Sequence, residues 1–305
     1  MSTETTGTDK RLQRERRVSR GIICTLLGGT LWGLNGVISK ILMDTYAVDP
    51  LWLTFMRELG SCWFFIAAAA LTDRKRLSSA VHSVRALLTI MLVGVVALLF
   101  SNVSYIEAVS WTNPATATVM QSLGMVGVLV YTCSVSKRAP RRREVLGILL
   151  ALIGTYLVAT GGNPGELNLP VGGFIWGLLC AAASACLAIV PTRALNKWGS
   201  FVVNGFGFLF SAIFLGLFIH PWTNVPALDL HAILLLIAII VLGSFGAYAL
   251  YLQGVKDAGS LKASLLGTIE PVVSTIGTVL LLGYHFSLAD ILGFALIIIM
   301  VYLTA

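Results

Sequence analysis

Ten stretches of this sequence are apolar for about the length that crosses a bilayer, and no other feature constrains the fold as tightly. They occupy residues 21–43, 50–72, 86–109, 114–136, 144–161, 172–194, 201–219, 231–254, 260–283 and 288–304. A helix rising about 1.5 Å per residue needs roughly 20 residues to cross the hydrocarbon layer. Within that layer each segment must satisfy its own backbone N–H and C=O groups, which a helix does. The strands of a membrane barrel alternate apolar and polar residues, and these runs do not. Hydrophobic residues make up 57% of the 305 residues and charged residues 11%, where a soluble domain carries about 25% charged. So much apolar surface needs an apolar solvent. A soluble enzyme, a nucleic-acid module, a secreted disulfide scaffold and a disordered chain are excluded. The expected class is an all-α membrane protein of ten transmembrane helices.

The connections are short and carry turn signals: Asp49-Pro50, Asn113-Pro114, Gly161-Gly162-Asn163-Pro164-Gly165 and His220-Pro221. The first run is too long for a signal-peptide core and no small-residue cleavage site follows it, so it is expected to stay on the protein. Orientation follows from Lys and Arg, which collect on the cytoplasmic side. With the N-terminus inside and ten crossings, 19 of the 21 Lys and Arg fall inside. They form groups at Lys10–Arg20, Arg74–Arg85, Lys137–Arg143, Arg193/Lys197 and Lys256/Lys262; the other two, Lys40 and Arg57, lie in spans. The outside loops hold Asp44, Asp49, Glu166 and Asp229. This distribution predicts a multi-pass protein of the cytoplasmic membrane with both termini in the cytoplasm. It accounts for the net charge of +7 without a nucleic-acid partner. Trp52, Trp111, Trp198 and Trp222 fall at span ends, where they are expected to anchor the interface.

Sliding the chain against itself by 146 residues sets Tyr105 on Tyr251, Val109 on Val255, Ala117 on Ala263, Thr132 on Thr278, Gly147 on Gly293 and Tyr156 on Tyr302. Gly21 sets on Gly173 at a shift of 152. The reading is a basic tail over 1–20, a five-helix repeat over 21–161 and a second over 172–305. Five is odd, so the second repeat enters the membrane in the opposite sense. Inverted repeats of this kind mark transporters that work by alternating access.

Ionisable and polar groups inside spans cost energy and point to function. Glu270, followed by Pro271, is the first candidate for proton or cation coupling; the structural alternative is help for the backbone that the proline leaves unsatisfied. Glu58 is the second. Adjacent helix residues point about 100° apart, so Glu58 and Arg57 do not share a face. Lys40, Arg57 and Glu107 read as gate or structural ion pairs, with an outer pair of Lys40 and Glu107 one option and snorkelling of Arg57 toward the surface another. Trp32, Asn35, Asn102, Tyr105, Gln121, Tyr248 and Tyr251 offer aromatic faces and hydrogen-bonding groups suited to a small-molecule cavity. Ordinary interhelical hydrogen bonding is the alternative for each alone. The five cysteines lie in apolar runs with no CxxC and no Cys/His cluster. No metal, cofactor or catalytic residue is expected, and clustered catalytic groups that would mark an enzyme are missing from the sequence.

Residues 263–273, from Ala263 through Glu270-Pro271, then Leu280–Gly283, Leu292-Gly293 and Tyr302, resemble the closing signature of the EamA family of the drug/metabolite transporter superfamily. Trp32-Gly33, Asn35, Arg57, Ala108 and Thr116-Ala117-Thr118 are similar in the first half. The family's frequent glutamate after the glycine closing helix 9 is replaced here by Tyr284 and His285. The resemblance implies ten spans in two inverted halves, cytoplasmic termini, and a central pathway lined by spans 1, 3, 4 and 8. The function expected is secondary transport of a small amphipathic metabolite, such as an amino acid or amine. Coupling to a proton or cation and assembly as a homodimer are left open. The competing reading is a non-transporting membrane scaffold or receptor subunit.

Overall fold

The computed structural model describes residues 2–163 and 168–304, without the side chains of 2–14, 260, 261 and 264. Pro164, Gly165 and Glu166, and the side chains of Lys10, Arg11 and Arg14, therefore lie outside the described residues. Among the described residues the structure is helical and contains no strand. Ten principal helices occupy the ten apolar runs: α1 (Ser2–Tyr46), α2 (Pro50–Thr72), α3 (Val84–Trp111), α4 (Pro114–Val135), α5 (Arg142–Thr160), α6 (Val171–Ile189), α7 (Ser200–Ile219), α8 (Leu230–Ala258), α9 (Ser260–Gly267 and Ile269–Leu282) and α10 (Leu288–Thr304). Two short helices, Arg74–Val81 and Thr192–Trp198, run between α2 and α3 and between α6 and α7.

The turn signals cap these helices. Asp49 Oδ1 accepts from the Leu51 and Trp52 amides, and Asn113 Oδ1 from the Thr116 amide. Pro50 and Pro114 each take the first helical position, where a missing N–H costs nothing.

Eight of the helices are long and apolar enough to cross a membrane by length and composition; α2 and α10 are not among them. Ten spans are expected from the sequence, and eight meet this measure. The physical reasons differ. Helix α2 has 23 residues but carries the adjacent Arg57 and Glu58, whereas α10 is apolar but only 17 residues long. The outward faces are apolar: Leu280 is 75% exposed and Phe218 68%. A correction concerns tryptophan. Trp111, at the end of α3, and Trp222, in the turn after α7, lie exposed, but Trp52 and Trp198 are buried in the core, the latter beneath the Lys197 ammonium.

Helices pair in a pattern that is preserved when the two halves are exchanged. Helix α1 packs on α8 and α9, and its counterpart α6 packs on α3 and α4. The counterparts α2 and α7 pack on each other, as do α5 and α10, and α4 and α9. Backbone irregularities follow the same register. A π-helical segment interrupts α3 at Gly94–Leu99 and α8 at Ile239–Gly246, matching the shift of 146 to within one residue at each end. Helices α4 and α9 break at Leu123 and Thr268, again one residue from register.

One end of the bundle carries Asp49 and the α3–α4 turn; we call it the acidic end. It is filled by Leu42, Trp52, Leu53, Ile106, Val109 and Ile239. The opposite, basic end carries the Arg74–Arg85 segment and is packed by Ala69, Ile90, Trp198, Val202 and Val203. A third cluster, Val119, Ala151, Phe294, Ile297 and Met300, joins α4 to α5 and α10. Between the first two lies a gap.

Candidate substrate cavity

That gap is a cavity of about 390 Å³ with walls from α1, α2, α3, α4, α6, α7, α8 and α9. Helix α1 can run close beside α9 because Gly33 has no side chain: a Cβ there would lie 2.7 Å from the Glu270 carbonyl oxygen. Gly243, in the π segment of α8, does the same for Asn35, whose Oδ1 would sit 2.5 Å from a Cβ. These approaches bring polar groups of separate helices around one space.

Of the seven residues expected to bind substrate, Trp32, Asn35, Asn102, Tyr105, Gln121 and Tyr248 line the cavity, together with Arg57 and Glu270. Tyr251 stands behind Trp32, with ring centroids 5.1 Å apart. It lines an adjoining cavity of about 250 Å³ that shares Trp32, Gln121 and Glu270 with the first. Sequence reasoning missed Phe65, Phe208, Asn204, Ser101 and Ser244, which also line the wall. Asn204 gave the same signal as Gln121, an amide within an apolar run. The phenylalanines gave none, since the same residue type also faces lipid.

Among the described residues six buried side-chain atoms have no hydrogen-bond partner: Asn35 Oδ1, Arg57 Nε, Arg57 Nη1, Ser104 Oγ, Asn204 Nδ2 and Ser244 Oγ. All but Ser104 Oγ belong to residues of the cavity wall. A buried polar atom is normally paired, and each one left unpaired costs about 1–3 kcal/mol. These atoms concentrate around one space.

The charged residues divide into three arrangements. Glu270 faces both cavities and makes no hydrogen bond or ion pair with a described residue. The Thr268 hydroxyl serves the Leu265 carbonyl at 2.7 Å and meets Tyr302 Oη at 2.9 Å. Glu58 is 2% exposed and lies behind the wall, where Oε1 accepts from Asn102 Nδ2 at 2.9 Å and Oε2 from Ser211 Oγ at 2.5 Å. Arg57 does not snorkel: it is buried, lines the cavity, and its one hydrogen bond among the described residues runs from Nη2 to Asn102 Oδ1 at 3.5 Å.

At the acidic end polar groups link the helices above this cavity. Tyr105 and Thr118 share a hydrogen bond of 3.2 Å, and Thr118 Oγ1 donates to Ser274 Oγ at 3.4 Å, joining α3, α4 and α9. Lys40 forms no pair with Glu107. Its ammonium instead meets Asp44 at 3.2 Å, one turn along α1, and donates to the Ser110 carbonyl of α3 at 2.9 Å. Glu107 is in no ion pair among the described residues. Tyr284, in the α9–α10 turn, donates to the Thr112 carbonyl at 3.4 Å; burial, with Asp44 nearby, raises its phenol above the ordinary tyrosine range. Toward the basic end the wall continues through Leu187, Pro191 and Leu195. At that end Asp257 of α8 accepts from Arg17 Nε at 3.0 Å, Arg20 Nε at 2.8 Å and Gln253 Nε2 at 2.7 Å, fastening the start of α1 to α8. No group of three His, Cys, Asp or Glu residues suited to a metal occurs among the described residues.

Comparison with known proteins agrees with this architecture. The chain is 29% identical over 279 residues to the uncharacterized inner membrane transporter YicL of Salmonella typhimurium, covering 92% of this chain and 93% of that protein. It is 23% identical over 292 residues to an uncharacterized transporter of Clostridium kluyveri, covering 92% of each. A protein of known crystal structure, 21% identical, superimposes with a TM-score of 0.59 over 90% of this chain and 95% of its own, which shows a shared fold. The model of the EamA-like transporter family matches residues 19–160 and 171–305. With both halves matched, the chain belongs to the EamA-like transporter family.

Proposed function

We propose that this transporter is a secondary carrier of small amphipathic metabolites, of the size and polarity of amino acids or amines, working across the cytoplasmic membrane by alternating access. The observation that carries the reading is the cavity itself. Residues of both halves line it, unpaired polar atoms gather around it, and its wall runs to the basic end while a hydroxyl and ammonium network links the helices at the acidic end.

In this reading the ten helices form two inverted five-helix repeats, 21–161 and 172–305, behind a basic segment over 1–20. The exchange-symmetric packing and the matched irregularities support the repeat, and the distribution of Lys and Arg supports cytoplasmic termini. Two packings related by a pseudo-twofold axis can exchange roles, opening one central site to each side in turn. In this reading the cavity faces the cytoplasm. Trp32, Asn35, Asn102, Tyr105, Gln121, Tyr248 and Tyr251 contact substrate or support the residues that do. Glu270, facing the cavity without a protein partner, is the coupling group, and Glu58 acts from behind the wall.

The test is flux in proteoliposomes across a panel of amino acids and amines, comparing wild type with Glu270→Gln. Solute movement by the wild type and loss of its response to an imposed pH gradient in Glu270→Gln are expected. A labelling experiment checks the topology: a cysteine replacing Tyr284 should react with an impermeant reagent from outside the cell. Reaction from the cytosol alone would remove the inverted repeat.

A further inference from the structure

We propose that Arg57 is the docking point for a carboxylate on the transported molecule, and that Glu58 positions it through Asn102. The proposal rests on the carrier reading and narrows the chemistry of its substrate.

Arg57 is 8% exposed and sits in the cavity wall. Neither Asp nor Glu stands within ion-pair distance of its guanidinium among the described residues. The acid next to it in the chain is committed elsewhere: both Glu58 oxygens are taken, by Asn102 Nδ2 and Ser211 Oγ. A carboxylate only accepts hydrogen bonds, so Glu58 fixes which end of the Asn102 amide it meets. The amide oxygen is thereby turned to Arg57 Nη2 at 3.5 Å. The guanidinium is held from one side, while Nε and Nη1 keep no partner.

Among the described residues no carboxylate meets this buried cation at contact, and Glu58 reaches it only through Asn102; a buried cation without a counter-charge at contact is costly. The counter-charge therefore belongs to the ligand. Guanidinium is a planar fork that matches a carboxylate and stays charged at any working pH. Among the described residues Arg57 is the one Lys or Arg in the lining, which it shares with a single carboxylate, Glu270; this suits a single negative charge on the ligand, whereas a phosphoryl group, carrying close to two, calls for more cations. The rings of Trp32, Tyr248 and Phe65 supply an apolar face for the rest of the molecule.

Three compounds with one ring and one chain length separate the contributions: 3-phenylpropionate, L-phenylalanine and phenethylamine. Thermal shift and flux are measured for wild type, Arg57→Gln, Arg57→Lys and Glu58→Gln. The two carboxylates should bind wild type at least tenfold more tightly than phenethylamine. Arg57→Gln should remove that preference, and Arg57→Lys should keep part of it. Glu58→Gln should raise KM for the carboxylates several-fold with little change in maximal flux, a split that a general loss of folding does not produce. Equal binding of all three by wild type, failure of both carboxylates to bind, or an unchanged preference in Arg57→Gln overturns the proposal. Flux of phenethylamine under any of those outcomes leaves the carrier reading standing. If Arg57→Gln does not fold, the ranking in wild type and Arg57→Lys decides.

Discussion

Two buried cations in neighbouring helices are treated in opposite ways. At the acidic end, Lys40 is 5% exposed and its ammonium is satisfied twice, by Asp44 and by the Ser110 carbonyl 70 residues away. In the mid-bundle cavity, Arg57 is buried as deeply but has one long bond and two unpartnered nitrogens. The first is a fastener: it joins α1 to α3 at the acidic end. The second is left for something the chain does not contain. Burial alone does not tell these roles apart; what each donor finds within reach does.

Three substitutions bear on that contrast. Lys40→Met removes the ammonium and leaves the part-buried Ser110 carbonyl without its donor, a loss of about 1–3 kcal/mol. The expected result is a lower Tm, together with faster labelling of a cavity cysteine from the acidic side; an unchanged Tm would mean the fastener is idle. Arg57→Met should act in the other direction. Removing an uncompensated buried charge in favour of an apolar side chain of similar length should raise Tm by an amount equivalent to about 1 kcal/mol, because a site that keeps a charge unpaired gives up stability for function. A fall comparable to that of Lys40→Met would show that Arg57 also holds the bundle together. The smallest effect is expected for Tyr105→Phe, which deletes one 3.2 Å bond to Thr118 and keeps the ring. Its cost should lie at the low end of ~0.5–1.5 kcal/mol, read as a small drop in Tm.

The helices were legible because each apolar run needs a continuous internal hydrogen-bond ladder, and Asp49-Pro50 and Asn113-Pro114 announce the turns they cap. The run at 86–109 becomes Val84–Trp111 and that at 231–254 becomes Leu230–Ala258, a few residues of error at ends where caps rather than hydropathy decide. Six of the seven residues named as substrate contacts line one cavity because polar groups in apolar helices are few and must turn inward. What could not be read is partnership. Helix geometry says that Arg57 and Glu58 face apart, but it does not say which one faces the cavity. The Ser110 carbonyl that captures Lys40 carries no sequence signal at all, since every residue has one.

The matched π-helical segments in α3 and α8 carry a consequence for the history of the two halves. Such a segment absorbs one surplus residue while the flanking turns keep their facing. Loss of one residue inside 94–99 or 239–246 would restore plain helix and leave the side chains on either side aimed as before. Loss of one anywhere else in these helices would swing everything beyond it by about 100°. These are the positions where each long helix tolerates a change of length. Under the proposed inverted repeat, their near-identical placement fits a single insertion that preceded the duplication.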